Sequence, residues 1–184
     1  MRTEVHVHGS IFLCKGVRLK QVEQALRPWL DYLDVEVIAD AHSLEREEPG
    51  IAFDLRERTL NICWTGEVGR NFQERLSTAF QNVGPLTEYA SEVEVTYYPD
   101  AGDDEFYQVF VGPSPEAIHE FRRQCVIEDM ANLLSRHLGK AEVDQVASVI
   151  GQMFDKTQPA QLPASEQSAS STVIPLHPRG KHLH

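Results

Sequence analysis

The chain has no apolar run long enough to enter a membrane. Its longest such stretch, Val109-Phe110-Val111 with its neighbours, falls far short of the roughly 18 residues a span needs, and Met1-Arg2-Thr3-Glu4 lacks the apolar region of a signal peptide. Cysteine is scarce. Cys14, Cys63 and Cys125 are an odd number, widely separated, with none two or four residues from another, which argues against a disulfide frame or a zinc site. Each lies in an apolar segment and is expected to be a buried, reduced thiol. These absences predict a cytoplasmic protein. Also missing are Gly-x-Ser-x-Gly, His-Glu-x-x-His and any phosphate-cradling glycine loop; Gly66-Glu67-Val68-Gly69-Arg70 reads as an ordinary strand-to-helix turn. No cofactor is expected.

Positive charge is in deficit: 17 Lys and Arg stand against 28 Asp and Glu, a net charge of −11. Most of the imbalance falls between Leu86 and Met130, where eleven acids meet only Arg122 and Arg123. An acidic surface repels phosphate backbones and draws basic partners, so direct nucleic-acid binding is disfavoured.

What is present is clear hydrophobic periodicity. Val5, Val7, Ile11 and Leu13 alternate with Glu4, His6, His8 and Ser10, the pattern of a half-buried strand. Leu19, Val22, Leu26, Trp29, Leu30 and Leu33 then follow helical spacing, with Pro28 placed to kink or end the helix. Val35 and Val37 suggest a short strand, and Asp40 to Pro49 a charged loop. Ile51, Phe53 and Leu55 alternate, as do Leu60, Ile62 and Trp64 after Arg56-Glu57-Arg58, which makes a hairpin. Phe72, Leu76, Ala79, Phe80 and Val83 mark a helix stopped by Gly84-Pro85. A second hairpin runs from Val93, Val95 and Tyr97 through a loop at Pro99 to Asp104 and back along Phe106 to Val111, a strand apolar on both faces and so expected at the centre of the sheet. Ser114-Pro115-Glu116 is a helix start, with Ser as cap, Pro in the first turn and an acid at the positive end. Val143, Val146, Ala147, Ile150, Met153 and Phe154 form a final helix beyond Gly139.

The resulting order, β-α-β-β-β-α-β-β-α-α, predicts one α+β domain over residues 1–156: a ferredoxin-like-related antiparallel or mixed sheet with helices on one face and a C-terminal helical pair. Residues 157–184 turn to Pro, Ser, Gln and Ala and read as a disordered tail.

Two strings bear on function. On a strand, His6-Val7-His8 turns both imidazoles to one side, where they can hold a metal ion with Glu4 on the same face. Set in a ferredoxin-like sheet, this resembles the rolling-circle nicking endonucleases, and the resemblance implies a metal held by the two histidines while a helix-borne tyrosine attacks DNA. That family's Tyr-x-x-Lys element is absent, since Tyr32, Tyr89, Tyr97, Tyr98 and Tyr107 all lack a Lys three residues on. The second string is acidic: Glu92 and Glu94 on a strand, then Asp100, Asp103, Asp104 and Glu105 at the hairpin loop. It predicts a binding or regulatory protein acting through protein–protein contact with a basic partner, in one version a mobile-element inhibitor that occupies a nucleic-acid-binding surface. The alternatives are a metal-dependent enzyme using Glu4, His6 and His8, and a homodimer or other assembly component built through the helical pair.

Overall fold

A computed structural model describes residues 2–156, so the expected tail at 157–184 lies outside the described residues. They fall into two compact units, one up to Pro113 and one beginning at Ser114, so the span expected to form one domain comprises both. The first unit holds strands β1 (Thr3–Phe12), β2 (Gly50–Asp54), β3 (Thr59–Val68), β4 (Ser91–Tyr98) and β5 (Glu105–Val111), with helices α1 (Leu19–Ala25), α2 (Arg27–Tyr32) and α3 (Phe72–Val83). The strands form one antiparallel sheet in the order β2-β3-β1-β4-β5. No helix is long and apolar enough to cross a membrane among the described residues.

β1 is central because its alternation gives it one wholly buried face: Val5, Val7 and Ile11 are shut into the core, where they meet Leu60, Ile62 and Trp64 of β3 and Val93 and Val95 of β4. Helices α1 to α3 close that face with Val22, Leu26, Trp29, Leu30, Phe72, Leu76, Ala79, Phe80 and Val83. The helix containing Pro28 breaks just ahead of it: α1 ends at Ala25 and Pro28 enters the first turn of α2, where its missing N–H has no helical bond to lose. At the core's centre, Trp29 meets Trp64, Phe72 and Phe80 edge-on, with ring centroids 5.6, 6.3 and 6.0 Å away.

The β2–β3 hairpin turns without Asn-Gly because a side chain does the work. Asp54 Oδ1 accepts from the backbone N–H groups of Arg56 and Glu57 at 2.8 and 2.9 Å, and Arg58 takes the left-handed conformation at φ 56°.

Two expectations fail. Val35 and Val37 form no strand: Asp34, at φ 58°, reverses the chain directly after α2, and the segment passes into a 3-10 turn, Ile38–Asp40, in which Ile38 alone is buried. β5 is an edge strand rather than a central one. Only Val111 of β5 is buried, and its other apolar side chains are half-buried. The three thiols are also less deeply placed than expected: Cys14, Cys63 and Cys125 are half-buried.

In the second unit, α4 (Pro115–Leu134) is capped as the sequence indicates, Ser114 Oγ accepting from Ala117 N–H at 3.2 Å. The Glu116 carboxyl lies below its usual range because its own backbone and then the Ser114 side chain hydrogen-bond to it. α5 (Lys140–Lys156) packs along α4, with the His119 ring 5.7 Å from that of Phe154 and Arg123 pairing with Glu120 and Asp155 at 3.2 and 3.7 Å.

Candidate functional site

The period of two that buries one face of the sheet turns a polar set to the other. Across the register, Gln108, Glu94, His8 and Cys63 form one row on β5, β4, β1 and β3, and Phe106, Thr96, His6 and Thr65 form the next. Neighbours in a row lie within reach of one another. The His6 and His8 rings stack with centroids 5.9 Å apart and planes 14° from parallel.

The charged loop before β2 is tied down over one end of these rows. Trp64 Nε1 donates to the carbonyl of His42 at 3.0 Å, and Leu44 N–H donates to the carbonyl of Thr65 at 2.8 Å. Ser43 Oγ accepts from Thr65 N–H at 2.9 Å and donates to Glu48 Oε2. These bonds carry Glu48 to β1, where its Oε1 lies 3.3 Å from His6 Nδ1. Thr65 Oγ1 donates to the same Oε1 at 3.1 Å, so its lone pair accepts from His6 Nδ1 at 2.9 Å. A carboxylate only accepts, which fixes the direction of the chain His6–Thr65–Glu48 and puts the proton of neutral His6 on Nδ1. The His6 and Glu48 side chains are 26% and 19% exposed, shielded yet open to solvent. Cys63 completes the group: one ligand atom each from His6, Glu48 and Cys63 lie within 4.8 Å of one another, the group whose donors converge among the described residues. Burial, and then the charge of Glu48, pushes the Cys63 thiol above its usual pKa.

The β4–β5 hairpin differs in kind. No Lys, Arg or His occurs from Ser91 to Val111. Glu94, Asp100, Asp103, Asp104 and Glu105 are exposed, and Glu92, half-buried, accepts from Gln108 Nε2 at 2.6 Å. Glu105 lies on the core side of β5 and accepts from Tyr107 Oη at 2.6 Å, which with burial raises the Tyr107 pKa.

A model of a family of unknown function (DUF6806) matches residues 3–155. The chain belongs to the DUF6806 family. The match runs from the start of β1 almost to the end of α5 and so takes in the sheet, the His6 group and both units. No curated protein and no solved structure matches this DUF6806 chain.

Of the metal ligands suggested by sequence, His6 stands inside the convergent group and His8 beside it, across the register from Cys63. Glu4 lies outside it, opposite Tyr98 and Glu67. Sequence reading missed Glu48, which reaches the site through a loop, and took Cys63 for a core thiol. A signal was there: with Leu60, Ile62 and Trp64 facing inward, Cys63 has the outward parity of Asn61 and Thr65.

Tyr97, beside Tyr107 on the core side, has a buried hydroxyl with no hydrogen-bond partner among the described residues. Burial above all, then Tyr107, Tyr32 and Glu105, pushes its pKa up to about 12. Because the folded value exceeds the usual value of about 10, the unfolded state ionises first. Stability present below pH ~10 is therefore lost as pH rises through the folded value. Tyr97→Phe removes this loss, abolishes the last step of a tyrosinate absorbance titration, and is expected to be at least as stable as wild type at pH 7, because no hydrogen bond is broken. A loss above about 1 kcal/mol in urea unfolding would contradict this.

Proposed function

We propose that the protein acts in the cytoplasm as a binding or regulatory protein, docking a basic protein surface against the acid-rich β4–β5 hairpin. The observation that carries this is uncompensated charge. Elsewhere in the first unit cations are interspersed with the acids and three arginines pair with them, Arg2 with Glu67, Arg27 with Asp31 and Arg58 with Glu88, whereas the hairpin from Ser91 to Val111 has no cation of its own. Among the described residues no ion pair involves Glu94, Asp100, Asp103 or Asp104. Like charges held together repel one another at some expense of stability and raise the local concentration of a cationic partner.

We infer in addition that β1 to β4 are a ferredoxin-like core with β5 appended. The run β-α-β-β-α-β and the seating of β1 between β3 and β4 support this. In the sharper version of the reading, the basic surface is a partner's own nucleic-acid groove and the protein inhibits it by occupying that groove.

The test begins with partners captured from the native host and measures their association with wild type and with Glu94, Asp100, Asp103 and Asp104 all changed to Lys. The variant should fold normally and associate at least about tenfold more slowly at low salt. The wild-type rate should fall as salt is added, since screening acts over about 10 Å at 0.1 M. A rate indifferent to both charge reversal and salt leaves the hairpin a role in solubility alone. In the inhibitor version, nucleic acid competes with the protein for the same partner.

A further inference from the structure

We propose that His6, Glu48 and Cys63 form a binding site for a divalent ion of the zinc class. This goes beyond the docking role above and rests on different residues. The ligand set differs from the one suggested by sequence, keeping His6 and replacing Glu4 and His8 with one residue from a loop and one from the neighbouring strand.

The chemistry of the donors selects the ion. An imidazole nitrogen, a thiol sulfur and a carboxylate oxygen make a mixed set that suits borderline zinc, whereas calcium and magnesium take oxygen ligands. Zinc bonds of about 2.0–2.3 Å place tetrahedral ligand atoms roughly 3.5 Å apart. His6 Nδ1 and Glu48 Oε1 are already at 3.3 Å, and the whole group lies within 4.8 Å, so closing on an ion needs side-chain adjustments of about an ångström. Three protein ligands leave a fourth position for solvent, the pattern of an open site rather than a closed structural one.

The support around the ligands is what a metal site requires. Ser43 and Thr65 hydrogen-bond Glu48 and fix its orientation. When the ion takes the Nδ1 lone pair of His6, the ring proton moves to Nε2 and the metal bond replaces the Nδ1–Thr65 hydrogen bond. His6 and Cys63 project from adjacent strands in a fixed register, β1 being the central strand of the sheet. The group is half-buried, so an ion has an entry path.

The test uses the full-length chain and Co²⁺ as a spectroscopic stand-in for Zn²⁺. One equivalent should bind and give a sulfur-to-cobalt charge-transfer absorption, which reports a thiolate ligand directly. The C-terminal His177, His182 and His184 cannot produce this band, because that segment contains no cysteine. The band should survive Cys14→Ser and Cys125→Ser, disappear in Cys63→Ser, and need at least about 100-fold more cobalt in His6→Gln or Glu48→Gln, more than the effect of losing an outer-shell partner. A second measurement needs no variant: stoichiometric zinc should protect Cys63 from iodoacetamide, read by peptide mass, while Cys14 and Cys125 keep their metal-free rates. Absence of the charge-transfer band at saturating cobalt, its persistence in folded Cys63→Ser, or alkylation of Cys63 unaffected by zinc would each overturn the proposal. None of these results bears on docking to the acidic hairpin, so the two readings stand or fall separately.

Discussion

Replacing Trp29 with alanine is expected to destabilise the protein by about 3–5 kcal/mol, the range for truncating a large aromatic in a packed core. Total stabilities run to about 5–15 kcal/mol, so the loss is a large share of what holds the fold. Trp29 is wholly buried and touches three aromatic rings from two elements: Trp64 on β3, and Phe72 and Phe80 on α3. Its removal opens a cavity at the junction of sheet and helices, and the rigid rings around it cannot collapse to fill the space. Trp29→Phe should lose much less, because the indole Nε1 has no hydrogen-bond partner among the described residues and deleting it leaves no buried acceptor stranded there. Urea unfolding decides the matter through a lower midpoint at unchanged slope. A loss under about 1 kcal/mol for the alanine variant would show that α2 is not anchored as described.

A second large effect is expected at Gly66. A Cβ built there would stand 2.4 Å from Cζ2 and Cη2 of Trp64, two residues earlier on the same face of β3. The indole has nowhere to go: it stacks on Phe72 at 5.9 Å, meets Trp29 edge-on and donates to His42. Gly66→Ala should therefore lose about 1–3 kcal/mol through overpacking, and Gly66→Val more. The same displacement breaks the Trp64–His42 bond and frees the loop that carries Glu48, so the His6–Glu48 pair should weaken with it. In the double variant Gly66→Ala/Trp64→Leu the clash is gone, and the combined loss should be smaller than the sum of the two single losses. Strict additivity would mean that the ring and the glycine do not meet.

Much of the fold could be read from the sequence because local pattern and tertiary burial agree. The alternation of Val5, Val7 and Ile11, the five apolar positions of α3 and the cap at Ser114 each specify an element, and each is present. Val35 and Val37 misled because two alternating residues are too few to outweigh the reversal at Asp34. β5 misled because apolar residues on both faces were taken as evidence of neighbours on both sides, whereas burial of a face and pairing of an edge are independent properties. The candidate metal group was half legible. His6 and His8 lie two residues apart in sequence and adjacent in space, but Glu48 and Cys63 meet them only through the β1–β3 register and through a loop anchored on Trp64 and Thr65 by His42, Ser43 and Leu44. Such a loop carries no period of its own.

The seating of β1 between β3 and β4 also bears on how the chain is made. β1 leaves the ribosome before the other four strands of the sheet and needs partners that end at Val68 and Tyr98. At about 5–20 residues per second, β1 waits roughly ten seconds between its own synthesis and the arrival of its second neighbour. Contacts this distant in sequence also slow folding of the finished chain. A nascent chain halted between Val68 and Tyr98 has β1 paired on one side only, its other backbone edge open beside an apolar face, the arrangement most prone to recruit a strand from another molecule. The strand at the heart of the finished sheet is thus the one most in need of a chaperone while the protein is being built.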